Sequence, residues 1–522
     1  MRYFRNLCFE NKKNARISES RLLYKLDLRE PLLISGLISI HIQFNSGNNT
    51  FIHRGVFKEL VYMEVIEQTS ILEAVQNAFH ESSDFKYKKY SIGEVILHLC
   101  YLDTMIDSEI IQTHILERVV SKDHSSRIIT TILDSIDVHS LDECIQAILS
   151  GNVIVFNDHN KNQAKSYSAP SNNSDRSISE TVSETITLGP HDSFVESLNI
   201  NLTLIRKRLR TKELIIKNMT VGKKYPVTLC IIYLNDITPH SMIETIEQKI
   251  KTLESSGKVE PQRMIESVHI QNIIEEYPSS PFPQVMYTER PDRTVRHLLS
   301  GKPAIMLDND PSALLFPYDI YGYFRAVDDY NFRWLFGTFF YCLRIFAFWV
   351  AVLLPSIYIA VTTYHSNILP VSIFYTLKLS IENVPLPPLI EAFSMIIILE
   401  LLKEAALRLP NPIGATIGTV GAIVIGTAIV QTNLISNSMV VVIAVTAVAS
   451  FSLPSKEMSV AARIMGIPLL VLASIFGFIG ISLGLFMIFA HLSKIRAFSY
   501  RYVENPGFSE FVLIKNKKEK SS

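Results

Sequence analysis

Long apolar runs fill the last third of the chain, whereas short apolar runs alternate with polar ones in the first two thirds. A helix needs roughly 20 apolar residues to cross the hydrocarbon core of a bilayer. Runs of this kind predict about five membrane spans, at Ile345–Thr363, Leu389–Leu407, Ile413–Gln431, Leu434–Leu453 and Ile464–Leu492. The pattern therefore predicts an all-α, multi-span membrane domain over 329–492, followed by a tail over 493–522.

Two further stretches beside these spans have shorter patterns. Ile368–Ile381 is too short for a comfortable span, which predicts a re-entrant or interfacial segment over 368–388. Asp329–Leu343 is rich in aromatic residues and fits either an interfacial helix or a packed core helix of the soluble region. The break in the re-entrant segment is assigned to three prolines, Pro385, Pro387 and Pro388.

Basic residues near the span ends indicate the side of the membrane that each end occupies. The N-terminal region lacks an apolar export signal and ends in Arg333 and Arg344, which predicts a cytoplasmic position. Alternation then places the loop around Arg408 on the same side. A single final span would put the basic tail outside, so either Ile464–Leu492 turns back on itself or Ile368–Ile381 crosses the membrane.

The charge distribution supports two regions in different solvents. The chain has 50 basic and 50 acidic residues, yet only 10 of these charges lie within 345–490, against 80 in the first 344 residues. This contrast excludes a uniformly soluble enzyme, and the absence of a basic excess argues against binding to nucleic acid. The sequence shows no metal-ligand cluster, cofactor motif or catalytic constellation, so we predict neither a cofactor nor an enzyme.

The first two thirds of the chain contain an internal repeat. Residues 95–119 match residues 227–252, and residues 147–158 match residues 298–309, in the same order. Each half combines apolar, strand-like runs with amphipathic helical patterns. The sequence therefore predicts an α/β N-terminal soluble region with two related subdomains.

The domain boundaries follow from this repeat. An N-terminal segment, 1–90, precedes the repeat, and the pattern assigns it no structure. The first α/β subdomain covers 90–160 and the second covers 222–328. A polar linker and a basic helix occupy 161–221 between them.

Two local features of the soluble region have competing interpretations. The pairs Ser150–Gly151 and Ser300–Gly301 resemble phosphate loops but are predicted to be helix C-caps that feed strands. The basic helix at Asn201–Leu214 fits either contact with anionic lipid headgroups or a solvated face paired with nearby carboxylates.

Several longer runs carry a resemblance to a known family. They include TERPDRTVRHLLSGKPAIMLDN within 282–317, ENVPLPPLIEA at 382–392 and ELLKEAALRLPNPIGATIGTVGAIVIG at 400–426. Together they resemble the A subunit of GerA-type spore germination receptors, the A component of the GerA/GerB/GerK family, over about residues 90 to 500. The stretch LGPHDSF at 188–194 is similar to an RGPREGF-like motif of the family but lacks its arginines.

The resemblance implies a nutrient receptor subunit in the inner membrane of a bacterial spore. It implies a cytoplasmic N-terminal domain and a multi-pass membrane domain. It also implies that the subunit acts together with a B-type, transporter-like germinant sensor and a C-type lipoprotein. It further implies a homo-oligomer in membrane lipid that opens as a channel and releases monovalent cations.

Ionisable residues within the second predicted span are the candidates for an ion path, because such residues are expensive in lipid. Glu400 and Glu404 lie four residues apart on one stripe, and Glu404 can pair with Arg408. Glu391 lies nine residues before Glu400, which places it on the opposite face. We predict that Glu400 and Glu404 face a cation path, or instead form structural pairs with Lys403, Arg408 or a neighbouring subunit.

Stripes of small residues mark two other spans, and close helix packing or a gating hinge explains either one. The residues are Gly414 and Gly418, then Gly477, Gly480 and Gly484.

Three functions remain open from the sequence. The first is a ligand-gated cation channel within a germinant receptor. The second is a non-conducting membrane scaffold that relays a signal between subunits. The third is a secondary transporter, a class in which broken helices at the midplane are common.

Overall fold

The structure is a computed structural model, and it describes the residues 70–92, 95–107, 111, 135–158, 160–169, 189–222, 224–255, 264–382, 384–408, 426–498 and 500–503. Most of the predicted segment 1–90 and most of the predicted span Ile413–Gln431 lie outside these residues. Within them, two β-sheets with helices are followed by a helical region with apolar segments. The predicted fold class is therefore confirmed.

The first subdomain is built on a five-stranded antiparallel sheet. Its strands are β1 (Phe85–Ile92), β2 (Val95–Leu102), β3 (Ser135–Val138), β4 (Asn152–Asn157) and β5 (Asn160–Ser168), in the order β1-β2-β4-β5-β3. Helices α1 (Ile71–Phe79) and α2 (Leu141–Leu149) bury one face of it, with Phe79 and Ile148 packed in the same core as Leu102. Each helix begins at a serine whose side chain accepts a backbone hydrogen bond, the favoured N-cap.

The second subdomain repeats this topology. Its strands are β6 (Leu214–Val221), β7 (Val227–Leu234), β8 (Met286–Thr288), β9 (Ala304–Leu307) and β10 (Ala313–Leu315), in the order β6-β7-β9-β10-β8. Its helices are α3 (Leu198–Arg208), α4 (His240–Ser255), α5 (Ser267–Ile274) and α6 (Pro291–Leu299). The equivalent strand order confirms that the two subdomains are related.

The sheets extend beyond the bounds drawn from the sequence. All of strand β6 and all but the first residue of strand β5 lie within 161–221, the segment predicted to be a linker with a basic helix. The polar residues of β5 hide its strand character, because a strand of lysine, asparagine and serine has no apolar alternation. The helix in that segment is α3, and it ends at Arg208.

The Ser-Gly pairs cap helices, as predicted. Ser150 and Ser300 end α2 and α6, and the following glycines adopt φ angles of 86° and 78°. At Gly301 a Cβ atom would lie 3.0 Å from the carbonyl oxygen of Ile237. Glycine therefore meets both the left-handed backbone and the close approach at this position.

The basic helix α3 joins the two subdomains, and its arginines pair with carboxylates, as one of the two interpretations expected, although Arg206 does so in a buried site. Arg206 is 1% exposed and donates from Nε and Nη2 to the two carboxylate oxygens of Asp84, at 3.0 and 2.9 Å. Arg208 pairs with Asp192. Arg206 therefore faces neither lipid nor solvent, since it makes a buried, bidentate contact with the first subdomain.

The C-terminal region consists of helices. In the described residues these include α7 (Trp334–Thr363), α8 (Val371–Glu382), α9 (Pro388–Arg408), α10 (Asn437–Phe451), α11 (Lys456–Phe476) and α12 (Phe478–Lys494). Helices α7 and α11 are long and apolar enough to cross a membrane, and α10 and α12 are shorter apolar helices. Helix α7 merges the aromatic stretch Asp329–Leu343 with the first predicted span, so most of that stretch is not a separate helix.

The last predicted span is a helical hairpin. Gly477 has a φ of 59° and separates α11 from α12. Gly480 lies against Leu472, and Gly484 lies against Leu469, so the two helices run antiparallel. The interpretation in which Ile464–Leu492 turns back on itself is confirmed, and a single final span is wrong.

The hairpin returns the chain to the second subdomain. His491, near the end of α12, lies within hydrogen-bonding distance of Ser280 at 2.8 Å. A two-stranded ribbon, β11 (Arg496–Ala497) and β12 (Tyr500–Arg501), follows, and Phe498 packs on Phe316 with ring centroids 5.7 Å apart. One hydrophobic core joins the second sheet to α7, α11 and α12.

Candidate functional site

The carboxylate of Glu391 lies at the N-terminal end of α9 and is enclosed. Its side chain is 1% exposed and accepts hydrogen bonds from the backbone N–H and the hydroxyl of Ser436, at 2.9 and 2.8 Å. Ser436 is the N-cap of α10, where a negative charge is favoured by the helix dipole. Glu391 thus holds α9 to the start of α10 and faces away from any open surface.

Glu400 lies further along α9 and meets two cations. Its Oε1 is 2.6 Å from Nε of Arg463 on α11 and 3.5 Å from Nζ of Lys403. The Lys403 ammonium also lies 4.3 Å from the centre of the Phe451 ring. This Glu400 cluster, formed by Glu400, Lys403 and Arg463, has a net positive charge and borders a small cavity of about 40 Å³ between α7, α9, α10 and α11.

Glu404 has a different environment from Glu400. It pairs with Arg408 at 2.6 Å, and the two side chains are 59% and 78% exposed. The predicted i,i+4 pair is confirmed, but Glu400 points toward α11 while Glu404 points outward. The pattern did not separate the two carboxylates because a spacing of four residues turns a helix by only about 40°.

The outward face of α9 forms one continuous stripe. Its large apolar side chains Ile390, Phe393, Ile397 and Leu401 are exposed, and the stripe continues into Glu404 and Arg408. These residues are spaced by three or four positions, the spacing of one helix face. We call this surface the α9 stripe.

The predicted proline break separates α8 from the α9 stripe. Pro385 and Pro387 lie between the two helices, and Pro388 is the first residue of α9, where its missing N–H is tolerated. No residue of α8 is buried in the described chain, and Val371, Tyr375 and Leu379 are among its exposed side chains.

The glycines predicted to form a small-residue stripe in the last span lie in the hairpin of α11 and α12. Gly480 and Gly484 allow α12 to approach α11, and Gly477 forms the turn. Gly414 and Gly418 lie outside the described residues.

Sequence reasoning missed an arginine network between the second subdomain and α7. Arg290, the N-cap residue of α6, is fully buried and donates from Nε to Asp292 at 3.0 Å and from Nη2 to the carbonyl of Pro190 at 2.8 Å. Arg293 donates to the Tyr318 hydroxyl at 3.1 Å. The spacing of three residues in TERPDRTVRH was the available signal, because it places these arginines on one face of α6.

The network continues onto helix α7. Arg344 of α7 contacts Asp329 at 2.5 Å. Burial raises the pKa of Asp329, an effect that the Arg344 guanidinium opposes. Burial lowers the pKa of Arg296, and the neighbouring arginines add to this effect while Asp292 opposes it. These contacts fix the start of α7 against the second subdomain.

The described residues contain no group of three or more His, Cys, Asp or Glu side chains that could hold a metal ion. The chemistry that they offer is electrostatic: charged side chains positioned between packed helices.

Comparisons with known proteins cover most of the chain. The sequence profile described as Bacillus/Clostridium GerA spore germination protein matches residues 73–512. The uncharacterized membrane protein YfkQ of Bacillus subtilis is 33% identical over 82% of this chain and 83% of its own length. Spore germination protein A1 of Bacillus subtilis is 33% identical over 85% of this chain and 93% of its own length.

A solved structure also matches part of the chain. It is the crystal structure of the N-terminal domain of the A subunit of the Bacillus megaterium spore germinant receptor GerK3. It is 22% identical, and the match covers 47% of this chain and 92% of that domain with a TM-score of 0.34.

Proposed function

Because the chain belongs to the GerA family of spore germination proteins, we propose that it is the A-type subunit of a germinant receptor in the spore inner membrane. In this proposal the helical region spans the membrane several times, and the subunit acts with a B-type, transporter-like sensor and a C-type lipoprotein. Several copies assemble into a channel that opens after the germinant is detected and releases monovalent cations. The subunit has no catalytic role.

The α9 stripe is the observation that carries this proposal. Lipid accommodates its apolar side chains but not the exposed Glu404–Arg408 pair, since ionisable groups within a membrane face protein or water. A second copy of the chain resolves this conflict. Packed against the stripe, it covers the apolar part and leaves the charged end beside a water-filled axis.

The ion path then has two carboxylates with different roles. Glu404 faces the axis, where its repetition around an oligomer forms a carboxylate ring that attracts cations. Glu400 is held by Arg463 and Lys403, so its charge is neutralised in this conformation. Helix α8 and the break at Pro385, Pro387 and Pro388 flank the path.

Reconstitution tests the channel. Full-length protein in liposomes is expected to pass potassium ions when activated with its partner subunits, and Glu404→Gln is expected to lower the cation conductance or the selectivity over anions. Glu244→Gln is the matched control, because Glu244 is exposed on α4 of the soluble region. Unchanged conductance and selectivity in a stable Glu404→Gln protein would overturn the assignment of the path.

The hairpin supports placing the N-terminal region and the C-terminal ribbon on the same, cytoplasmic side. Ser493 near the end of α12 and Gln431, the last helical residue before the turn that leads to α10, are both exposed in the described chain. In a Cys342→Ser background, an impermeant thiol reagent added from outside should label Gln431→Cys and spare Ser493→Cys. Labelling of Ser493→Cys alone would contradict this topology.

The non-conducting scaffold is the second candidate. The arginine network and the continuous core favour it, because they transmit a displacement of the soluble region to α7 without requiring a pore. A stable complex that shows the germinant response but no flux through this subunit would identify the scaffold. A secondary transporter would instead show saturable germinant uptake.

A further inference from the structure

A cavity lies where the C-terminal ribbon folds onto the second subdomain. It has a volume of about 190 Å³ and is lined by Lys302, Pro317, Tyr318, Asp319, Ala497, Tyr500, Arg501 and Tyr502. We call it the ribbon cavity. Its volume exceeds that of a single water but is smaller than the 300–1,000 Å³ typical of drug-sized ligand sites. It suits a small ligand.

The ribbon cavity contains charges of both signs that do not neutralise each other. Lys302, Asp319 and Arg501 form no ion pair with any described residue. Asp319 accepts a hydrogen bond through Oδ1 from the backbone N–H of Gly322 at 3.0 Å. Its other carboxylate oxygen, Oδ2, remains available to a ligand. Two cationic groups and one carboxylate thus line one half-open cavity, together with tyrosines.

Tyr502 lines the ribbon cavity, but its hydroxyl is shielded from solvent. Tyr502 is 2% exposed, and its Oη has no hydrogen-bond partner in the described chain. Burial raises the pKa of Tyr502 well above its usual value, and the Asp319 carboxylate adds to this, so the hydroxyl stays protonated.

We propose that the ribbon cavity binds a small zwitterion, with its anionic oxygens at Lys302 and Arg501 and its ammonium group at Asp319. A ligand with only one of these two charges leaves the opposite charge of the cavity unpaired, and this gives the site its selectivity.

The position of the cavity favours a lipid headgroup as the source of the zwitterion. The ribbon starts two residues after the apolar helix α12 ends at Lys494. On the membrane placement proposed above, the cavity lies at the level of the headgroups. An aminophospholipid such as phosphatidylethanolamine carries a phosphate and an ammonium group in the required arrangement, and so does soluble glycerophosphoethanolamine.

Native mass spectrometry of the full-length protein tests the proposal. The detergent-solubilised protein is incubated with phosphatidylethanolamine or phosphatidylglycerol, and glycerophosphoethanolamine binding is measured separately by calorimetry. We expect phosphatidylethanolamine to bind about tenfold more tightly than phosphatidylglycerol, the effect of one charge-assisted contact. Binding of the soluble compound without retention of the lipid would keep the site and identify a free zwitterion as its ligand.

Three variants separate a binding role from a structural one. Asp319→Asn keeps the hydrogen bond to Gly322 but removes the negative charge, so it should weaken phosphatidylethanolamine binding about tenfold and leave phosphatidylglycerol binding unchanged. Tyr502→Phe removes a hydroxyl that is shielded from the cavity, so both the fold and the binding should persist. Lys494→Gln is the control, because it removes a charge outside the cavity.

Two results would overturn the proposal: equal retention of both lipids together with no binding of the soluble zwitterion, or unaltered selectivity in Asp319→Asn. Neither result depends on ion flux. The channel and the zwitterion site therefore fail or stand separately.

Discussion

The hairpin of α11 and α12 depends on the absence of a side chain at Gly480. A Cβ atom built there would lie 2.0 Å from the carbonyl oxygen of Leu472 and 2.5 Å from its carbonyl carbon. Ordinary contacts begin at 3.4 Å, so Gly480→Ala forces the two helices apart by more than 1 Å. The obstructing atoms belong to the backbone of α11, which cannot rotate away as a side chain can.

The expected cost follows from this geometry. Overpacking a filled core typically costs about 1–3 kcal/mol, and the backbone clash puts Gly480→Ala at the upper end, about 3 kcal/mol. Gly484→Ala meets the Cδ2 atom of Leu469 at 2.4 Å, the flexible end of a side chain, so about 1 kcal/mol is expected. Gly426→Ala meets nothing within 4 Å and serves as the neutral control.

Thermal unfolding of the detergent-solubilised protein measures these differences. At about 2 °C per kcal/mol for a large domain, Gly480→Ala should lower the Tm by about 6 °C and Gly484→Ala by about 2 °C. If Gly480→Ala is as stable as Gly426→Ala, the close approach of α11 and α12 is wrong. The antiparallel hairpin and the return of the chain to the soluble region would then be refuted with it.

Three other perturbations probe separate parts of the molecule. Glu391→Ala should destabilise by about 1–3 kcal/mol, because it orphans the buried donors at the start of α10, and a reduced Tm would show this. Arg206→Met should cost about 3–5 kcal/mol because Asp84 stays buried without its partner, whereas Arg208→Met should cost less than 1 kcal/mol in the same denaturation assay. Burial lowers the pKa of His297 from 6.5 to about 3. The neutral imidazole therefore makes its full contribution to stability above pH 6.5. As the pH falls from 6.5 toward 3, the unfolding free energy decreases by about 1.4 kcal/mol per pH unit. His297→Gln should flatten the dependence of the unfolding free energy on pH in that window.

The elements that the sequence predicted well are those with local signals. The repeat was visible because each half carries apolar strands and a Ser-Gly helix end, and these depend on neighbours along the chain. The strand order was not visible, since β2 pairs with β4 across some 50 residues and no local pattern records that pairing. Gly477 was assigned to a packing stripe because glycine permits a positive φ but does not demand one.

The same distinction holds for the charged residues of α9. The pair of Glu404 with Arg408 followed from helical spacing alone. The partners of Glu391 and Glu400 come from α10 and α11, so only the tertiary structure reveals Ser436 and Arg463. Sequence reasoning therefore identified the right helix and set Glu391 apart, but it grouped Glu400 with Glu404, whose environments differ.

The C-terminal ribbon gives the helical region a second tether to the soluble region. The chain enters the helices through α7, which the Arg344–Asp329 contact fixes, and it leaves them through α12, which His491 and Phe498 fix to the same subdomain. A body held at one point can swivel freely, whereas a body held at two can only tilt about the line that joins them. Because one hydrophobic core also joins the two regions, the two tethers oppose a swivel of the helical region on the second subdomain.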